Sequence, residues 1–138
     1  MTVNLATRLG SVELPNPVMT ASGTAGHSTE LARHLDLASL GAVVTKSLHV
    51  NPWAGNPAPR VHATASGMIN SVGLQGPGVQ AWLDQELPAL EAIGARVVAS
   101  IWGRTVEEFT QAAQALASAP PSVVAVEGNG WVWGQARV

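Results

Sequence analysis

"AVVTKS", residues 42–47, is the stretch on which the fold turns. An alanine and two valines give way to threonine, lysine and serine, the pattern of a short buried strand whose carboxyl end meets a polar loop. The same rhythm recurs on both sides. Upstream, residues 18–21 read as a strand running into the small polar loop "TASGTAGHSTE", residues 20–30. A helix is expected from residue 28 or 29 to residue 40, ended by Gly41 in a left-handed cap. Downstream, "RVVASI" at 96–101 and "SVVAVE" at 122–127 read as two further strands.

Segments of helical period separate these runs. One starts near Val79 and carries Trp82, Leu83 and Glu86, with Pro88 expected to interrupt it before "ALEAIG". Another opens with Thr105 three residues before Glu108, where each side chain can satisfy a free backbone N–H of the other. Phe109, Ala112, Ala113 and Leu116 then share a face suited to a sheet, and Pro120 and Pro121 end the segment. Alternation of this kind predicts an α/β fold of about four β-α units around a parallel sheet. Residues 48–78 form a connection dense in proline and glycine, far longer than an ordinary one, and such loops are functional or disordered.

Composition excludes several classes of function. A hydrophobic share of 46% fits a globular domain, and a net charge of −2 with 12% charged residues leaves no basic face for nucleic acid. Cysteine is absent, which removes disulfides and thiolate chemistry. No apolar run approaches the roughly 18 residues of a membrane helix, and the N-terminal residues lack a signal-peptide pattern, so a cytoplasmic protein is expected. His27, His34, His49 and His62 show no metal-ligand spacing and read as surface or loop residues.

Polar residues collect at the carboxyl ends of the expected strands: the 20–30 loop after the first, Thr45, Lys46 and Ser47 after the second, Ser100 after the third and Asn129 after the fourth. In parallel α/β folds that edge binds ligands, although any single serine there also serves as a helix cap. Lys46 is the chain's only lysine. It either snorkels to solvent or holds a cation against a ligand that gains negative charge. In "GMINSVGLQGPG", residues 67–78, Gly67, Gly73, Gly76 and Gly78 let backbone N–H groups turn toward an anion, and Asn70 offers both a donor and an acceptor to a cyclic imide or amide. This is a glycine-rich loop without the spacing of a dinucleotide fingerprint.

Taken together, "NPVMTASGTAG", "LGAVVTKS", "GNPAPR", "GMINSVGLQGPG" and "SVVAVE" resemble, in order and spacing, the N-terminal half of class 1 dihydroorotate dehydrogenases over about residues 8–127. The "ASGTAG" and "GLQGPG" forms lean toward the heteromeric subclass that passes electrons to NAD through a partner subunit carrying FAD and an iron–sulfur cluster. The resemblance implies half of a (β/α)8 TIM barrel with FMN over its strand ends, oxidising dihydroorotate to orotate in pyrimidine biosynthesis. It implies flavin contacts at Ala21, Ser22, Gly23, Thr45, Lys46, Ser47, Ser100 and Asn129. It implies substrate contacts at Lys46, Asn70, Ser71, Val72, Gly73 and Leu74.

Past residue 127 the resemblance breaks. The family's V-N-x-S-C/S-P-N run, whose cysteine or serine removes the substrate's C5 proton, is replaced by "GNGWVWGQARV", residues 128–138. Val132 stands where the base belongs. A partial domain over 1–127 and a divergent tail over 128–138 are therefore expected, from a frameshift, a gene-model error or a genuine fragment. The same sequence also allows a non-catalytic half-barrel remnant that binds flavin weakly or not at all. Open sheet edges at the first and fourth strands predict self-association.

Overall fold

The computed structural model describes residues 3–130. Near its start, β1 (Thr7–Leu9) and β2 (Val12–Leu14) form an antiparallel hairpin turned by Gly10 at φ 59°. Residues 18–21, expected as a strand, make only a single parallel bridge, Met19 with Ala42. The side chain of Thr20 takes over from the backbone: its Oγ1 accepts from Val44 N at 2.7 Å and donates to Val44 O at 3.1 Å.

The helix expected over 28–40 is absent; a series of turns and a 3₁₀ turn, Leu37–Ser39, stand in its place. Local side-chain bonds compete with the helical ladder here. Glu30 accepts from the backbone N–H groups of His27 and Ser28, and Asp36 from that of Ala38, so each fixes a tight turn. Gly41 is not a left-handed cap. A Cβ there would lie 2.2 Å from Asn16 O, so the residue is small because two backbones meet.

β3 spans only Val43–Val44, but its path continues as a ladder, with Thr45 N bonded to Val98 O and Leu48 N to Ser100 O. The long connection holds a second antiparallel hairpin, β4 (Val61–Thr64) and β5 (Gly67–Asn70), exposed along its whole length. The first third of the expected glycine-rich loop is therefore strand. α1 (Val79–Ala81), a π turn (Trp82–Glu86) and α2 (Leu87–Ala92) follow without a break. Pro88 does not interrupt this helix as expected. It sits at the start of α2, where the preceding π turn, with Leu87 N bonded to Trp82 O, takes up the missing N–H and the crowding of the ring.

β6 (Val97–Ile101) and β7 (Val123–Gly128) fall within a residue of expectation, and α3 (Val106–Leu116) starts where expected but ends short of Pro120. Thr105 Oγ1 caps α3 by accepting from Glu108 N at 3.2 Å. The returning carboxylate of Glu108 takes the N–H of Arg104 instead of that of Thr105. Phe109, Ala112 and Leu116 pack inward as expected; Ala113 is exposed, and Ala115 joins the core in its place.

β3, β6 and β7 form a parallel sheet in the order β3-β6-β7. Side chains alternate across it. Val43, Val97, Ala99 and Ile101 face the helices and pack with Trp82, Leu87, Leu90, Ala112 and Leu116. Val44 and Val98 face the other way, onto Leu14 of the β1–β2 hairpin. Two residues beyond Val98 on that second face comes Ser100, so the face changes from apolar to polar toward its carboxyl end.

Candidate functional site

At that end the strands bring together side chains far apart in sequence. Thr45 and Ser100 are fully buried, and Ser47 is 3% exposed. Ser100 N donates to Thr45 Oγ1 at 3.2 Å, Ser47 Oγ lies 2.9 Å from Ser100 Oγ, Ser100 Oγ donates to Glu127 Oε1 at 2.8 Å, and Asn129 Nδ2 donates to Ser47 Oγ at 3.0 Å. Asn129 N also bonds Ile101 O, which carries the β6–β7 ladder one step beyond the strand. The buried hydroxyls are thus satisfied by one another and by the groups at the ends of the chain they form.

Beside this cluster runs the 20–30 loop. Ala21 O accepts from both the backbone and the hydroxyl of Thr24, and Gly26 O accepts from Lys46 N at 2.8 Å, which ties the loop to the end of β3. Gly23 has φ +82°, a left-handed conformation that favours glycine, and open space where a Cβ would stand. Lys46 opens onto a cavity of about 740 Å³, lined also by His27, Trp53, Val72, Gly76 and Glu86. That volume falls in the usual range for small-molecule sites, about 300–1,000 Å³.

Electrostatics around the cavity follow from burial and hydrogen bonding. Burial holds the His27 imidazole below its ordinary 6.5, with Lys46 adding to the effect and Glu30 and Glu86 opposing it. Burial pushes Glu30 up, but the N–H groups that its carboxylate accepts, from His27, Ser28 and its own backbone, outweigh this and leave it below the usual range. His27 is half-buried and not a plain loop residue: its carbonyl accepts from Trp82 Nε1 at 2.7 Å, which locks the loop to the helix.

The glycine-rich segment is divided by the fold. Val72 lines the large cavity with Lys46, whereas Asn70 and Ser71 line a separate small cavity of about 160 Å³ with Arg60 and His62. Gly73 O accepts from Trp53 Nε1 at 2.9 Å, and Gly73 and Leu74 are both left-handed, at φ 79° and 58°. The residues expected to surround one substrate therefore lie on two sides of a strand end, and Asn70 is exposed.

Sequence reading missed a second cluster. His49, expected on the surface, is 4% exposed, and its ring lies 4.7 Å from that of Trp102 and 5.5 Å from that of Trp53. Arg104 stacks over Trp53 at 4.2 Å, and His49 Nε2 lies 3.5 Å from Glu108 Oε1. The bond from Arg104 N–H holds Glu108 below the usual carboxylate range, with His49 adding to it. The signal was the spacing of Trp102 and Arg104 just past β6, which places both over the same edge. Among the described residues no group of three or more His, Asp or Glu is placed to hold a metal ion, and no helix is long and apolar enough to cross a membrane. Val132 lies outside the described residues.

Comparison with known proteins follows the same outline. The profile of the dihydroorotate dehydrogenase family matches residues 4–129. The chain is 50% identical over 114 residues to the dihydroorotate dehydrogenase B (NAD(+)) catalytic subunit of Thermoanaerobacter pseudethanolicus, covering 83% of this chain and 38% of that protein. It is 44% identical over 117 residues to the protein of the same description from Alkaliphilus metalliredigens (85% and 39%), and 41% identical over 126 residues to that from Geotalea uraniireducens (91% and 41%). The chain thus spans 38–41% of the length of these relatives. A crystal structure of DHODH from Eimeria tenella in complex with ferulenol superposes with a TM-score of 0.60 at 19% identity, covering 91% of this chain and 36% of that one, and so shares its fold.

Proposed function

The chain belongs to the dihydroorotate dehydrogenase family, and we propose that it is an N-terminal, FMN-binding part of the catalytic (β/α)8 barrel of that enzyme, contributing the three parallel strands β3, β6 and β7. The observation that carries this reading is Lys46, the only lysine in the chain, which opens onto the large cavity and lies in sequence between Thr45 and Ser47 of the buried hydroxyl cluster. Bound FMN would supply a hydride acceptor for the oxidation of dihydroorotate to orotate.

The residues present fit that group. The 21–23 turn leaves open space at Gly23, and Thr45, Ser47, Ser100 and Asn129 form a preorganised polar cluster at the strand ends, outside the lining of the Lys46 cavity. Lys46 holds positive charge where the ligand gains negative charge, in a partly buried setting where such a pair counts for more than in water. Asn70, Ser71, Val72, Gly73 and Leu74 are the proposed pyrimidine contacts. Bringing Asn70 and Ser71 to the ligand that Lys46 and Val72 meet requires the β5 end to close over the cavity. Electrons would leave through a partner subunit with FAD and an iron–sulfur cluster, in the cytoplasm.

At the position of the proton-removing base, Val132 has no group that accepts a proton. General base assistance contributes about 10²–10⁴ in rate, so this chain is expected to hold FMN weakly and not to turn over dihydroorotate. Flavin fluorescence titration of the purified chain tests the reading. Saturable binding should weaken about tenfold in Lys46→Ala, the scale of one charge-assisted contact. Absence of any saturable binding would overturn it in favour of a remnant that no longer holds flavin.

A further inference from the structure

The chain Asn129–Ser47–Ser100–Glu127 has only one consistent arrangement of protons. Glu127, as a carboxylate, only accepts, so the 2.8 Å contact is a donation from Ser100. Ser100 has one hydroxyl proton, so at 2.9 Å it accepts from Ser47. Ser47 has then used its own proton and accepts from Asn129, which must turn its Nδ2 inward, as the 3.0 Å bond has it. Turning the Asn129 oxygen to Ser47 would reverse every step. The Ser100 hydroxyl would then donate to Ser47, and two oxygens would face each other across the Glu127 contact with no proton between them, at a site where Ser100 is fully buried.

We propose that Glu127 is a positioning residue: through the Ser100 and Ser47 hydroxyls it decides which way the Asn129 carboxamide faces at the carboxyl edge of the sheet. Glu127 and Asn129 are near neighbours in sequence, yet the control runs across two other strands. The consequence for ligand binding rests on the reading of Asn129 as a flavin contact; the orientation itself does not.

Glu127→Gln is the discriminating variant. A glutamine either accepts from Ser100 or donates to it, so both directions of the chain become satisfied and the preference is lost while the fold is kept. In nitrogen–proton correlation spectra of the labelled full chain, the Asn129 side-chain amide pair, identified by its loss in Asn129→Asp, should shift or split in both Glu127→Gln and Ser100→Ala. An Asn129 pair unchanged in both overturns the proposal. FMN affinity gives the functional arm: Glu127→Gln should weaken binding severalfold when Asn129 is present and leave it unchanged in an Asn129→Ala background. Equal weakening in both backgrounds would show that Glu127 acts other than through Asn129, and would also overturn it. A wild-type chain that holds no FMN would sink the flavin reading, and the amide spectra would still decide this one.

Discussion

The two sides of the candidate site are built by different means. On the strand-end side, Thr45, Ser47 and Ser100 are buried in the sheet, and every polar group is tied to a neighbour that the core holds in place. On the loop side, β4 and β5 are exposed throughout, Met68 and Ile69 by 67% and 64%, and the segment is anchored through Trp53, Asn56 and Arg60. The strand ends inherit rigidity from the packing beneath them. The loop side has few buried apolar contacts, so it belongs to the part of the molecule that opens first.

Damage to the core and damage to the hairpin should differ most of all. Trp82 is fully buried and bonded to His27 O, so Trp82→Ala should cost about 3–5 kcal/mol in urea unfolding. Ile69→Ser should stay within about ±0.5 kcal/mol. Comparable losses in the two variants would mean that the hairpin shares the core's cooperativity, and the comparison would break.

The polar residues sharpen it on a smaller scale. Ser100→Ala leaves the Glu127 carboxylate without its Ser100 donor and the Ser47 hydroxyl proton without its acceptor and should cost about 1–3 kcal/mol, whereas Asn70→Ala, on the exposed strand, should leave the melting temperature unchanged. Differential scanning fluorimetry of the two variants is sufficient to compare them.

The smallest effect is in pH. Burial lowers the His27 pKa from its ordinary 6.5, so the unfolded chain binds a proton that the folded chain resists. Stability from this group is complete above about 6.5 and declines as pH falls from there toward the folded value. Glu30 and Glu108, held below their ordinary 4.5, lose their contribution only in more acid solution. The melting temperature should therefore fall between about pH 7 and pH 5, and His27→Gln should flatten that fall. A slope of the same size in the variant would place its origin elsewhere.

How far these features can be read from the residues depends on what stabilises each. β6, α3 and β7 are legible because valine runs, a Thr105 cap and a pair of prolines all point the same way, and local preference agrees with packing. The expected strand at 18–21 and helix at 28–40 fail because Thr20, Glu30 and Asp36 bond the backbone through their side chains, an alternative that periodicity does not register. Lys46 and the serines were found from their places at strand ends. Glu127 drew no attention as a site residue, since a lone carboxylate at the end of a strand has an ordinary reading as a solvated charge.

What the sequence determines by itself is the alternation of strand and helix, the family, and the kind of residue at each strand end, because these rest on local pattern and on order along the chain. Tertiary structure alone decides that Ser47, Ser100, Glu127 and Asn129 form one directed chain, that His49 is buried between two tryptophans, and that Asn70 stands apart from Lys46. The directed chain joins residues from 27 to 82 apart, the last between Ser47 and Asn129, and His49 meets Trp102 across 53. The physical reason is that hydrogen bonds and ring contacts act only over a few ångströms, and which residues come within that distance is settled by how the sheet and helices pack.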